Sequence, residues 1–97
     1  MGAIDPELLP AFETAFLQQL QLRFSYRDAK GAQTQRLVEP QAMLILPPLW
    51  YLVAWDPMRE DFRYFRMDRI SAPEIADDAP FLRRHVPFVG DVRPARD

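Results

Sequence analysis

The residues with the most chemistry to offer are arginines interleaved with aromatics: Arg23, Tyr26, Arg36, Tyr51, Arg63, Tyr64, Arg66 and Arg69. A guanidinium presents a planar fork of donors that matches phosphate or carboxylate, and an adjacent ring gives a face on which a base can stack. The same residues have a plainer use. Arginines on a small sheet often pair with neighbouring carboxylates, here Glu39, Asp61 and Asp68, and residue types alone leave that use slightly ahead.

Other chemistries fail on composition. The three glycines, Gly2, Gly31 and Gly90, are too scattered for a phosphate-cradling loop. His85 is the only histidine and there is no cysteine, so a zinc site would need mostly carboxylate ligands and no metal or cofactor is expected. Neither serine, Ser25 or Ser71, sits in a glycine elbow of the hydrolase kind. The acid pairs Glu60–Asp61 and Asp77–Asp78 read as solvated turns. The expectation is a protein that is not an enzyme.

These residues must be positioned by one small domain. At 97 residues the chain supports a single core that buries roughly 60–65% of its unfolded surface. Apolar residues make up 48% of it, enough to fold, while no apolar run approaches the roughly 18 residues of a membrane span. Absence of cysteine fits a reducing interior, and the N-terminus lacks the basic start and apolar stretch of an export signal, so a cytoplasmic location is expected. The opening MGAIDP reads equally as native sequence or a cloning scar. Net charge is -2, yet eleven of the twelve basic residues are arginine, a bias toward forked recognition of anions.

The most apolar stretch, Pro48–Trp55, alternates Trp50, Leu52 and Ala54 with Tyr51, Val53 and Trp55, so as a strand it is apolar on both faces. Cover on both sides implies a small closed or nearly closed sheet with a helix laid against it. Asp5, Pro6 and Glu7 supply a helix start, and Leu8, Leu9, Phe12, Phe16 and Leu20 form its apolar stripe. Leu22, Phe24 and Tyr26 then alternate with Arg23, Ser25 and Arg27 as a half-buried strand. After a turn at Asp28–Gly31, a long strand over 34–46 is interrupted at Pro40, and Pro47 and Pro48 close it. Asp56–Asp61 reads as a polar hairpin loop before a strand over Phe62–Ile70. Asp77 and Asp78 begin a turn, Pro80–Leu82 start one helical turn, and Val86 and Phe88 anchor an extended tail.

Four linked segments, FSYRDAKG, RLVEP, WYLVAWD and FRYFRMDRI, resemble in order and spacing the WYL domains of bacterial regulators, which take their name from the tripeptide found here as Trp50, Tyr51 and Leu52. Phe81 matches the phenylalanine that usually closes that domain. The resemblance implies a mainly β fold with one N-terminal helix, a small Sm-like five-stranded β-barrel. On that basis residues 1–7 are a disordered start or scar, 8–82 the domain (helix 8–20, barrel strands about 21–75), and 83–97 an extended tail. It also implies a sensor that binds a negatively charged ligand, such as single-stranded nucleic acid or a nucleotide, and that follows a winged helix-turn-helix in the full-length regulator. Carried over by motif, Tyr26, Arg36, Tyr51, Arg63, Arg66 and Arg69 are the ligand-binding candidates, Trp50 and Leu52 belong to the core, and Asp68 orients an arginine. No helix-turn-helix precedes the domain and the family's C-terminal extension is short or missing, so an excised sensor or a stand-alone copy is expected. The alternative is a protein-interaction or oligomerisation module, including a homodimer, of a regulator or an antiviral defence protein.

Overall fold

The computed structural model describes residues 4–84 and the pair 93–94. Helix α1 (Leu8–Gln18) leads into strands β1 (Leu20–Arg27), β2 (Gln33–Leu46), β3 (Leu49–Asp56) and β4 (Asp61–Arg66). A 3-10 turn (Met67–Arg69), β5 (Ile70–Pro80) and the short β6 (Arg93–Pro94) follow.

Asp5 starts the helical segment from a distance. Its Oδ1 accepts the Glu7 amide at 2.9 Å and its carbonyl accepts the Leu8 amide at 3.0 Å, so Pro6 and Glu7 form a turn and the helix proper begins at Leu8. Pro10 lies in the first turn, where its missing N–H costs no intrahelical bond. Leu8, Phe12 and Ala15 are buried, while Leu9 is exposed and stands off the expected stripe. The helix ends two residues before its expected limit because Gln19 turns left-handed at φ 55° and its amide closes on the carbonyls of Ala15 and Phe16. Leu20 therefore opens β1.

Five strands form an antiparallel sheet in the order β5-β1-β2-β3-β4, and β6 adds to β4 in parallel. The long β2 serves both halves, pairing with β1 over Gln33–Val38 and with β3 over Glu39–Leu46. Between Pro40 and Ala42 one extra residue, Gln41, makes a bulge that turns the strand. The interruption expected at Pro40 is thus a corner within one strand. Asp28 builds the β1–β2 turn by accepting the Lys30 and Ala32 amides on Oδ1 at 2.8 and 2.9 Å. Gly31 completes that turn at φ 87°, where any side chain would be strained.

Leu22, Phe24, Tyr26, Val38, Leu52, Ala54, Phe65, Met67 and Ile70 face α1 across a single core. Rings of Phe24, Tyr26 and Phe65 meet edge to face at 5.0–6.4 Å. In β3, Leu52, Val53 and Ala54 are all fully buried, so its two-faced apolar pattern is real at its middle.

Several expectations are corrected. The strand expected over Phe62–Ile70 breaks at Met67–Arg69, where the 3-10 turn swings the chain from β4 to the far side of β1. β4 and β5 thus stand at separate positions in an open sheet, which is not closed into a ring by β4–β5 pairing. Asp77 and Asp78 lie inside β5, and Phe81–Arg84 form no helical turn. Val86 and Phe88 lie outside the described residues. Trp50 is not core: it is 39% exposed, opposite Ile45 on the protruding β2–β3 hairpin. Replacing Phe65 by alanine is expected to cost about 3–5 kcal/mol in chemical denaturation, as for a fully buried aromatic. Trp50→Ala is expected to cost no more than about 1 kcal/mol.

Candidate anion-binding site

β1, β2, β3 and β4 converge on a polar end of the core. Tyr26 is 1% exposed, and its hydroxyl accepts the Arg66 amide at 3.2 Å. That bond ties the end of β4 to β1 across the sheet. The Tyr26 and Phe65 rings also support Arg36, whose Cζ lies 5.9 and 5.6 Å from their centroids.

Arg36 shares its strand face with Val38 and is buried. Its Nε donates to Thr34 Oγ1 at 3.0 Å and its Nη1 lies 3.9 Å from Asp56 Oδ2. The same Asp56 shapes the β3–β4 loop, accepting the Met58 and Arg59 amides on Oδ1 at 3.0 and 3.4 Å. Arg59 reaches back with its Nε 4.0 Å from Asp56 Oδ2. Arg63 stands on the inner face of β4 with Phe65, opposite Ala54. Burial pushes the Arg36 guanidinium below its ordinary pKa, and the positive charge of Arg59 pushes it further. Asp56 opposes the shift, and Arg63 adds a smaller push downward. A cavity of about 600 Å³ opens over Arg36, Asp56, Met58 and Arg59.

The six sequence candidates do not share one cavity. Tyr26, Arg36 and Arg63 belong to the polar end just described. Tyr51 and Arg66 sit opposite one another on the other face of β3 and β4, with Tyr51 5.6 Å from Tyr64. Arg69 lines a separate cavity of about 440 Å³ with Arg27, Gln33 and Ser71. The buried Tyr26 offers no free face for stacking, so its part is to carry Arg36 and hold β4. Tyr51, half-buried, remains the accessible aromatic of the set.

Asp68 grips Arg66 with both oxygens, Nε to Oδ1 at 3.1 Å and Nη2 to Oδ2 at 2.8 Å. This is the orienting role expected from sequence. The pair fixes the guanidinium against the 3-10 turn while leaving the Arg66 side chain 29% exposed. Internal pairing, the plainer use of these arginines, also claims Arg84, a residue the motif reading passed over. Its Nε donates to Glu39 Oε1 at 3.1 Å, its amide donates to Gln41 Oε1 at 2.9 Å, and its Cζ lies 4.1 Å over Trp55.

Asp56 and Arg59 were also missed, because DPMRED reads as an ordinary polar loop. The available signal was Asp-Pro at the end of an apolar strand, which marks an Asp that caps its own turn. Among the described residues no group of three or more His, Asp or Glu could hold a metal. No helix there is long and apolar enough to cross a membrane.

The hydrogen bonds from Arg66 hold the Asp68 carboxyl below the usual carboxylate range. Its stabilising contribution is therefore complete above the unfolded-chain pKa of about 3.9 and is lost as pH falls through the lower folded value. Asp68→Asn is expected to destabilise the fold by about 1–2 kcal/mol near neutral pH. The gap from the parent should close as denaturation curves are taken into strongly acidic buffer.

Comparison with known proteins bears on the family and the fold. The WYL domain profile matches residues 7–75. The chain is 31% identical over 67 residues to an uncharacterised HTH-type transcriptional regulator, YobV, of Bacillus subtilis (strain 168), taking in 69% of this chain and 21% of that protein. The fold superposes on proteasome accessory factor B/C (PafBC) of Arthrobacter aurescens with a TM-score of 0.69 and 27% identity, covering 98% of this chain and 15% of that one. It thus spans a small part of either relative. With the four motif segments placed on β1 through the 3-10 turn and the profile matched across them, the chain belongs to the WYL domain family.

Proposed function

We propose that this domain is a non-enzymatic sensor that binds a negatively charged ligand, single-stranded nucleic acid or a nucleotide, in a cytoplasmic regulator. In the full-length protein it would pass occupancy to a winged helix-turn-helix domain. The observation that carries this reading is the half-enclosed cavity over Arg36 and Arg59, with Arg63 close enough to depress the Arg36 pKa further. Arg36 and Arg59 stand there with Asp56 between them, and planar guanidinium forks of this kind match the oxygens of a phosphate. Arg36, Arg59 and Arg63 would hold phosphate, Arg66 would extend the track around β4, and Tyr51 beside it would take a base. Arg69, in its separate cavity, would meet only a ligand long enough to pass the 3-10 turn. Kinship to a protein described as an HTH-type transcriptional regulator supports the regulatory setting. The strand order β5-β1-β2-β3-β4, the doubly used β2 and the 3-10 turn before β5 support reading the fold as Sm-like.

Salt dependence tests the site, because a protein of net charge -2 has no bulk attraction for a polyanion and any slope must come from a local cluster. Each phosphate neutralised on a single strand contributes about -0.7 to the slope of log affinity against log salt. Contacts to three phosphates give a slope near about -2. Titration of a labelled short single strand at several salt concentrations should give that slope. Arg59→Ala, a change at a half-exposed side chain, should weaken binding to all sequences alike and make the slope shallower by about 0.7. Absence of saturable binding at low salt would sink the nucleic-acid reading.

A further inference from the structure

Past β5, Phe81–Arg84 belong to no helix or strand, yet they are tied down at both ends. At the helix end the Phe81 amide donates to the Gln19 carbonyl at 2.9 Å, Gln19 Nε2 donates to the Phe81 carbonyl at 3.4 Å, and the Phe81 side chain is buried. Arg83 Nη2 donates to the Phe16 carbonyl at 2.8 Å, and its Cζ lies 4.4 Å from the Phe16 ring centroid. A cation there meets the last-turn carbonyls and the negative end of the α1 dipole. At the other end Arg84 binds Glu39 and Gln41 at the β2 corner and covers Trp55 on β3.

The corner contacts border the anion site. Glu39 and Trp55 are register partners. Trp55 immediately precedes Asp56, and Glu39 follows Arg36 along the same strand, so a shift of either strand at the cavity is felt where Arg84 docks.

Two opposing terms keep the docked position close in energy to a lifted one. Glu39 is buried and its carboxylate has no partner other than Arg84 among the described residues, so lifting Arg84 strands a buried charge. Against this, Gln41 Nε2 is buried and finds no partner among the described residues while Arg84 occupies its Oε1, a cost that the docked state carries. Leu82, at 81% exposed, adds no burial that would hold the segment down.

We infer that Phe81–Arg84 is a strap that docks or lifts as one unit, joins the end of α1 to the β2 corner, and relays the state of the anion cavity to that helix. The relay rests on the anion-binding reading above, in which a winged helix-turn-helix precedes α1; the strap itself does not. A short segment with two discrete positions, each contacting both sites, is the kind of element that carries coupling.

Two amides report the two ends: Phe81, bonded to Gln19, and Arg84, bonded to Gln41. Hydrogen exchange at these positions, with Leu52 in the buried middle of β3 as the control for global unfolding, tests the strap without ligand. Arg83→Ala should speed exchange at the Arg84 amide, and Arg84→Ala at the Phe81 amide, each by about five-fold or more and with no equal change at Leu52. Glu39→Gln removes the charge pair without stranding a buried carboxylate, and it should also speed exchange at Phe81. Changes confined to the end that carries the substitution overturn the inference. The relay is read with a labelled short oligothymidylate: once the label shows saturation, exchange at both amides should change in the same direction by about five-fold or more, and Arg84→Ala should abolish the response at Phe81. A bound strand that alters neither amide overturns the relay. A strand that fails to bind sinks the anion reading and the relay with it, and the strap then stands or falls on the ligand-free amides.

Discussion

One bent strand sets the geometry of this domain. β2 has to pair with β1 at its beginning and β3 at its end, and those partners lie in different halves of the sheet. Only the extra residue at Gln41 lets a single strand do both. The bulge also brings Glu39 and Gln41 within reach of Arg84, whose guanidinium closes over Trp55. Without that corner the two half-sheets could not share one core, and Arg36 on the first half would not meet Asp56 at the end of β3.

That meeting explains how a chain with more acids than bases can still concentrate positive charge. Several carboxylates are spent locally: Asp5 and Asp28 on their own turns, Asp68 on Arg66, Glu39 on Arg84. Asp56 is divided between the loop amides and two guanidiniums. A carboxylate that already accepts backbone hydrogen bonds has fewer lone pairs left for its arginine partners. The local field around Arg36 is therefore set by placement, and net charge says little about it.

Much of this was legible in the sequence because its cues are local. Asp-Pro-Glu before a leucine stripe gave the helix, Asp28–Gly31 gave its turn, and alternation in Leu22–Tyr26 gave a strand with the correct inward face. The motif also paired Asp68 with an arginine correctly. What failed depends on three-dimensional placement. Alternation continues smoothly through FRYFRMDRI, so nothing in its pattern reveals that Met67–Arg69 leaves the sheet, and with it the open arrangement of β4 and β5 stays hidden. Tyr26 was read as an available ring because a tyrosine beside arginines looks the same whether its face is open or packed against Phe65.

Trp50 shows the limit most clearly. An apolar run tells where a chain avoids water and does not tell which surface covers it. Leu52, Val53 and Ala54 in the middle of PLWYLVAW find that cover inside the domain, whereas Trp50 and the Met43–Leu46 segment, with the same composition, extend past its edge. Local hydrophobicity has the same character in both places, so an apolar run by itself does not separate a core position from an exposed one.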